Sequence, residues 1–523
     1  MCIRDRALSE QDYEHQYYVD GGSTFFDVFF PDSDDRWHTV AVGALRGGGQ
    51  GLFALDITDP DGIDGNYPTF SESNADEIAL WEFTDDDDAD LGFTFGRPVI
   101  VRMANGRWAA VFGNGYNNTS PDTNVSTTGN AVIYVVDIET GDLVKKFDTG
   151  FGVAEDPSGF DRPNGISTVS AVDSNADNIV DILYGGDLLG NVWKLDVSSN
   201  NPGQWDFAFT SGGDPEPVYT AKDSNGNLLP ITTEIQIGTH PEVRSEGNFL
   251  LFFGTGQYIE TTDSTTENQL TQTFHGIWDN GSTAIANRNL LQEQTITTEF
   301  QRSTGLLVRV SSDHDIDWNN QRGWYIELIN QSGSPVANGG ERQVSDAALR
   351  NGRIIFTTLI PSSDPCQPGG TGWIMELDAA NGGSIDNVSP FDITGDDVID
   401  SRDLDYNEDG VNDEPIVGIF IATGIPTSPT IIDLPEDRDT NTNTTGGGDG
   451  GGTGGGTGGT TGGDTGGTGG DTGGTGGGTG GDDGGDDLAA ELKYISVSNG
   501  EILRLLESGD LSIIGRQSWR EVR

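Results

Sequence analysis

The chain's strongest constraint is a repeated grammar: short β-forming runs closed by Gly, Asn and Asp, with little helical periodicity. RPVIVRMANGRWAAVFGNGYN reads as a strand, an Asn-Gly turn and a second strand ending in glycines, and VIYVVDIETGDLVKKF adds another hairpin. The pattern returns in DILYGGDLLGNVWKLDV, which continues to WDFAF, and in FLLFFGTGQYI followed by FHGIWDNG. GLFALDITDP with LWEF and RIIFTTLI with GWIMELDAANGG are related pieces. Each unit reads as four strands, and the copies stand roughly 60 to 120 residues apart. Radial repetition of such sheets is a β-propeller, here all-β with long loop insertions. The competing arrangement is one or two β-sandwiches.

Three regions follow along the chain. Residues 1–440 read as the propeller, with an acidic insertion near 392–413. Residues 441–487, TNTTGGGDGG onward to GGDDGGDD, form a Gly/Thr/Asp tract that cannot bury a core and reads as a disordered linker. As a flexible coil it would span roughly 35–40 Å. Residues 488–523 return to strand character, because LKYISVSNGEILRLLE is a strand, an Asn-Gly turn and a strand. A hairpin alone is marginal in water, so this one is expected to pair with an earlier strand and close the ring.

Charge narrows the partners. With 84 acidic and 27 basic side chains, the formal net charge of −57 repels phosphate backbones, so no nucleic-acid partner is expected. Cations are favoured, calcium first. The two cysteines, Cys2 and Cys366, do not make a disulfide framework. No apolar run reaches the ~18 residues of a membrane span. The opening MCIRDR looks foreign to the strand-like DYEHQYYVDGG behind it, and the chain reads as lacking its true N-terminus. A missing signal peptide therefore does not argue against export.

VDSNADNIVDILYGGD is the most specific chemical signal. Asp173, Asn175 and Asp177 hold positions 1, 3 and 5 of an EF-hand-like loop, the Ile179 carbonyl falls at 7 and Asp181 at 9. Asn178 sits at position 6, where a left-handed backbone is wanted. Three carboxylates are expected to converge and to need a cation. Tyr184 stands at position 12 in place of the bidentate Glu, so water or Asp187 would complete the shell. The competing reading is a cluster of Asx turns.

A second calcium region is FDITGDDVIDSRDLDYNEDGVNDEP. Asp392, Thr394, Asp396, Asp400 and Asp403 fit positions 1, 3, 5, 9 and 12 of one loop. Asp405, Asn407, Asp409, the Val411 carbonyl and Asp413 make a cleaner second one, with Gly410 at the turn. The run DDDDAD, Asp85 to Asp90, lacks alternation and reads as a solvated loop.

Catalytic signatures are missing. The histidines His15, His38, His240, His275 and His314 fall in no zinc motif, and neither GxSxG nor a P-loop occurs. Cys366 lies in a Gly/Pro loop and is not read as a nucleophile. His240 and His275 are expected to cap or fill sheet edges, and Trp193, Trp278 and Trp373 to pack between sheets. VIYVVDIETGDLVKKF also resembles the blade motif of quinone-dependent alcohol dehydrogenases, an enzymatic alternative that rests on the blade alone.

WHTVAVGALRGGGQGLFALDITDP, FGRPVIVRMANGRWAAVFGNGYN, AVDSNADNIVDILYGGDLLGNVWKLDV, FFGTGQYI, SSDPCQPGGTGWIMELD and the closing GRQSWREVR together resemble the C-terminal propeller of the PilY/PilC family. These are type IV pilus assembly and tip-associated adhesion proteins. The resemblance implies a modified seven-bladed propeller, exported to the pilus and outer surface and non-enzymatic. It further implies pilin and minor-pilin partners, with host or abiotic surfaces as adhesion targets. The family's calcium loop matches Asp173, Asn175, Asp177, Ile179 and Asp181, and implies an ion that opposes pilus retraction in twitching motility. Relatives carry a further N-terminal region, often von Willebrand A-like. No RGD occurs here, so integrin-type adhesion is not implied. A purely structural surface propeller is the remaining alternative.

Overall fold

A computed structural model describes residues 16–63, 65–120, 124–243, 245, 247–266, 269–330, 339–362, 364, 369–385, 388–396, 398–412, 415–433 and 490–508. MCIRDR, Cys366, Asp413, the tract at 441–487 and the closing GRQSWREVR lie outside the described residues.

The repeated hairpins become antiparallel sheets. The first comprises Ser23–Phe30, Arg36–Ala44, Gly51–Asp56 and Ala79–Thr84 in that order. The second comprises Val99–Arg102, Trp108–Gly113, Val132–Asp137 and Leu143–Asp148. The third is built on Ile166–Val172, Ile182–Asp187, Asn191–Asp196 and the short Asp206–Phe207. The fourth carries Gln236–Thr239, Phe249–Gly254, Thr273–Asp279 and Gly323–Asn330. The fifth carries Ala348–Arg350, Arg353–Thr357, Gly370–Asp378 and Gly418–Ile421.

The fourth and fifth sheets are joined at their outer edges by an inserted hairpin, Gln292–Gln301 and Leu307–Ser311. Its first strand runs parallel to Gly323–Asn330 and its second pairs with Gly418–Ile421. A three-stranded sheet follows, in which Ala490–Ser496 pairs with both Thr430–Asp433 and Ile502–Ser508. The result is an all-β propeller; the first two units are four-stranded sheets as read, whereas a short strand, Tyr219–Thr220, adds a fifth to the third sheet, and the fourth and fifth are continuous through the inserted hairpin as one eleven-stranded sheet.

Period-2 alternation explains how the sheets stack. Along Val132–Asp137, Val132, Tyr134 and Val136 face the first sheet and pack with Phe83 and Phe112. Ile133 and Val135 face the third and pack with Leu183, Trp193 and Leu195. A strand covered on both sides has no polar face, so VIYVV reads as one apolar run. Further layers repeat the scheme, with Phe253 and Ile277 on Tyr184, and Phe274 stacked 4.0 Å from Phe356. Trp193 and Trp373 are fully buried, and Trp278 is half-buried against His240. Gly113 permits a close approach of the second sheet to the third, since a Cβ there would stand 2.3 Å from the Ile166 carbonyl.

The turns are closed by aspartate. In all five repeated units the third strand ends in Asp: Asp56, Asp137, Asp196, Asp279 and Asp378. Each carboxylate accepts the backbone N–H two residues on, from Thr58, Glu139, Ser198, Gly281 and Ala380, at 3.0, 2.9, 3.0, 2.9 and 2.6 Å. The Asn-Gly turns share another device: Asn105 and Asn499 accept the N–H of Arg107 and Glu501, and Gly106 and Gly500 adopt φ of 86° and 88°.

Charge is also buried between strands. Arg309 lies over Trp373 and donates to Glu299 at 2.7 Å and Glu341 at 2.8 Å, all three carried inside the protein. Glu376 receives Arg353 at 2.7 Å and also the ammonium of Lys493, which ties the last sheet to the fifth.

His275 is buried and stacked on Phe253, and burial, with Arg288 adding to it, pushes its pKa down to about 3. An unfolded histidine titrates near 6.5, so between those values only the unfolded chain binds the proton. Stability from this group is therefore full above about pH 6.5 and falls as pH drops towards 3. In urea titrations at pH 7 and pH 5, wild type is expected to lose about 1–2 kcal/mol more than His275→Gln; equal losses would contradict this.

Candidate metal-binding loops

Residues 173–181 join the first two strands of the third sheet. The base of the loop is fixed by backbone: Asp181 donates its N–H to Val172 and Val180 donates its N–H to Arg102, both at 2.9 Å. Asp173 winds the loop. One of its oxygens accepts N–H groups from Asn175, Ala176 and Asp177 at 3.1, 2.6 and 3.2 Å, and the other accepts Asn178 at 2.6 Å. Asn175 accepts from Asp177 at 3.0 Å, and Asp177 accepts from Ile179 at 2.9 Å. Asp181 turns back to accept the N–H and hydroxyl of Ser174 at 2.9 and 2.7 Å.

Asn178 adopts the left-handed backbone expected of position 6, with φ of 66°, and Ala176 does so unforeseen, with φ of 64°. Asp173 and Asp181 are buried at the base, whereas Asn175 and Asp177 are exposed at the tip. Three converging carboxylates were expected. Among the described residues, however, no three His, Cys, Asp or Glu side chains gather as a metal cluster. The donor set is nonetheless all oxygen, the chemistry a hard cation takes.

Asp187, proposed to finish the shell, does other work, as does Tyr184 at position 12. Asp187 stands six residues past Asp181 at the far end of its strand, roughly 20 Å away at strand rise. It is fully buried, accepts from Asn164, Asn191 and Trp193 at 2.9, 3.0 and 2.9 Å, and also takes the N–H groups of Leu189 and Asn191. Burial pushes its pKa up, against those hydrogen bonds. It is a strut between turns and cannot join the loop. Tyr184, the position-12 counterpart, donates to buried Asp279 at 2.5 Å, beside Lys194 at 2.6 Å.

The second region joins the third and fourth strands of the fifth sheet, between Gly370–Asp378 and Gly418–Ile421. Its later half repeats the first loop's winding. Asp405 accepts N–H groups from Asp409 and Gly410 at 3.0 Å each, Asn407 accepts from Asp409 at 3.0 Å, and Asp409 accepts from Val411 at 2.9 Å. Glu408 and Gly410 take φ of 62° and 85°, matching Ala176 and Asn178 position for position. The loop is docked on the inserted hairpin, with Arg302 donating to the Asp405 carbonyl at 2.6 Å and Ser303 to Glu408 at 2.8 Å.

The earlier half is built differently. Asp392 accepts from the Thr394 hydroxyl at 3.1 Å and the Gly395 N–H at 2.7 Å. Buried Asp403 accepts the N–H groups of Ile393, Thr394 and Asp400 at 2.9, 3.1 and 2.9 Å, stapling the half-loop's ends together. Arg402 grips Asp400 and Asp396, each at 2.7 Å. Hydrogen bonding to Asp400, with the charge of Asp396, raises the pKa of Arg402, and the same contact lowers that of Asp400. Here the protein supplies its own cation, a competitor that the spacing of the aspartates did not reveal.

The DDDDAD run is likewise not simply solvated. Asp88 and Asp90 hold Lys146 at 2.7 Å each, and Tyr134 donates to Asp88 at 3.0 Å. Burial works against the charged lysine, but these partners outweigh it and raise its pKa. The run docks on the second sheet because a lysine there faces it. His240 accepts the N–H groups of Glu242 and Val243 as a cap, whereas His275 sits mid-sheet, paired with Phe253 and Tyr325, and fills a core rather than an edge.

The fold defines an all-β propeller that carries two acidic loops. A family profile described as the PilY1 beta-propeller domain matches residues 3–305. A type IV pilus biogenesis factor PilY1 homolog of Xylella fastidiosa is 37% identical over 383 residues, covering 72% of this chain and 24% of the relative. The type IV pilus biogenesis factor PilY1 of Pseudomonas aeruginosa is 33% identical over 441 residues, covering 77% and 34%. The crystal structure of the Pseudomonas aeruginosa PilY1 C-terminal domain superposes with a TM-score of 0.63 at 29% identity, covering 82% of this chain and 84% of that one. The chain belongs to the PilY1 family. It spans between about a quarter and a third of the length of these two relatives. Among the described residues no helix is long and apolar enough to cross a membrane.

Asp403 satisfies three backbone donors in a buried position, so Asp403→Ala is expected to lower stability by about 1–3 kcal/mol. Exposed Asp396→Ala should change it by no more than about 0.5 kcal/mol. Urea unfolding of both variants checks the contrast.

Proposed function

We propose that this chain is the calcium-binding propeller portion of a type IV pilus biogenesis protein, acting by binding rather than catalysis. Membership of the PilY1 family supports the pilus role. The observation that carries the calcium reading is the shared winding of two loops distant in sequence, each with an Asp, Asn, Asp series and left-handed residues at the same two positions. The ligands proposed for the first ion are Asp173, Asn175, Asp177, the Ile179 carbonyl and Asp181. The second region would use Asp405, Asn407, Asp409, the Val411 carbonyl and Asp413. Asp392, Asp396 and Asp400 are weaker candidates, since Arg402 already neutralises two of them.

Bound calcium supplies the positive charge that the loop carboxylates lack. Asp173 and Asp181 hold the base, and Asn175 and Asp177 close over it from the tip. The strand leaving the loop carries Tyr184 into the third-to-fourth sheet contact at Asp279, so order in the loop bears on that contact. We read the ring as the modified seven-bladed propeller, the Gly/Thr/Asp tract as a tether, and the location as the pilus and cell surface. Pilins and minor pilins are the proposed partners, with host or abiotic surfaces as adhesion targets. Differential calcium affinity between two states would then bias extension against retraction.

Calcium titration by calorimetry and thermal melting tests this. Wild type should be stabilised by about 2.7 kcal/mol when calcium is 100-fold above its Kd. Asp173→Ala/Asp181→Ala should abolish that site and impair calcium-dependent twitching, while Asp405→Ala/Asp409→Ala leaves the first site intact. Unchanged binding in the first double variant would remove the loop from the mechanism.

A further inference from the structure

His38, near the start of the second strand of the first sheet, meets a carboxylate at each ring nitrogen. Nδ1 stands 2.7 Å from Asp56 and Nε2 stands 3.1 Å from Asp34. A neutral imidazole carries one N–H and donates to one carboxylate only, so two such contacts need the charged, doubly protonated ring. The residue is 7% exposed, stacked on Phe30 at 4.3 Å and met edge-on by Tyr67 at 5.2 Å.

The two carboxylates belong to different connections. Asp34 lies in the turn between the first and second strands, and Asp56 ends the third, where the chain leaves for the fourth. Antiparallel order puts both at the end of the propeller that carries the acidic loops, which likewise join first to second and third to fourth strands. Asp56 also accepts the N–H of Thr58 at 3.0 Å and the Thr58 hydroxyl. Asp34 has Arg36 at 4.0 Å as well, and Arg36 lies 6.0 Å from the Tyr67 ring.

The turn at 31–35 also forms part of the seam with the second sheet. Asp32 takes Arg107, which faces Asp137 and Glu139 at 3.7 and 3.5 Å, and Ser33 donates its N–H to Glu139 at 2.6 Å. Asp35 closes the turn by donating its N–H to the Phe30 carbonyl at 3.0 Å.

Burial works against a charged ring, yet the hydrogen bonds to Asp56 and Asp34 outweigh it and raise the pKa of His38 above 6.5. Burial likewise opposes the Asp56 carboxylate, and His38 and Thr58 bring its pKa down. Loss of the proton leaves one N–H for two carboxylates. It stays with Asp56, which is buried and nearer, and an Nε2 lone pair then faces the Asp34 oxygen. That contact turns repulsive, and Asp34, 34% exposed at its side chain, can turn to water instead.

We propose that His38 is a proton-operated clasp: charged, it holds the turn at 31–35 against the end of the third strand, and neutral, it releases Asp34 and loosens the seam with the second sheet. The two states differ by one proton and one contact, the differential that a switch requires. Because the raised pKa belongs to the folded chain, the clasp is fully closed below about pH 6.5 and opens as pH rises through the folded value. It uses none of the acidic-loop residues and does not rest on their binding calcium.

The test uses the full chain in chelator, with histidine ring resonances followed by NMR from about pH 5 to pH 9 and amide exchange read as protection factors. His38 should titrate above 6.5. Across its midpoint the Asp35 amide should lose roughly 10-fold in protection, while Gly106, whose N–H serves the Met103 carbonyl, should hold. Asp34→Ala should lower the midpoint and make Asp35 protection independent of pH. His38→Gln identifies the resonance, and the shift in Asp34→Ala does so alone should His38→Gln not fold. A wild-type midpoint at or below the reference value, Asp35 protection unchanged across it, an equal loss at Gly106, or an Asp34→Ala midpoint equal to wild type would overturn the proposal.

Discussion

Aspartate carboxylates bound to turn N–H groups hold this propeller in register. With 84 acids and 27 bases, ion pairing cannot satisfy most of the carboxylates. The fold directs them to the backbone instead, and the five aspartates that end the third strands do so with one geometry. A charge-assisted contact to backbone N–H is stronger than a neutral one and fixes where each turn begins. Once those turns are set, period-2 alternation delivers the apolar faces to the neighbouring sheets.

The acidic loops are the same chemistry carried further. Asp173 gathers four N–H groups where a blade turn needs one, and Asp405 gathers two in the equivalent winding. The acidic loop and the structural turn thus differ in degree, which is why an Asx-turn cluster was the proper competitor from sequence. Buried ion networks have another role. Arg309 ties its hairpin to Glu341, and Glu376 joins Arg353 to Lys493 of the last sheet. Such pairs contribute little net stability but penalise wrong pairings, because each misplaced strand strands a buried charge.

Much of this was legible. The strand–Asn-Gly–strand units at Val99–Gly113 and Ala490–Ser508 form as read, since turn chemistry there is local. Loop winding was legible too, down to Asn178 in the left-handed region. What escaped depends on partners distant in sequence. Asp187 looks like a spare ligand beside its loop, yet pleating carries it a strand's length away to Asn164 and Trp193. DDDDAD looks solvated until Lys146 is placed opposite it. The hairpin that bridges the fourth and fifth sheets, QEQTITTEFQ with LVRVS, follows strand grammar but not the repeat, so nothing local marks where it pairs. The recurring Asp at strand ends, in contrast, was visible in LFALD, VIYVVD, NVWKLD, GIWD and IMELD.

The account turns on Asp173 winding its loop before any ion arrives. Hydrogen exchange of the amides of Asn175, Ala176, Asp177 and Asn178 in calcium-free protein measures this directly. Protection of all four, lost in Asp173→Ala, is the predicted result. Exchange at coil rates in wild type until calcium is added would contradict it.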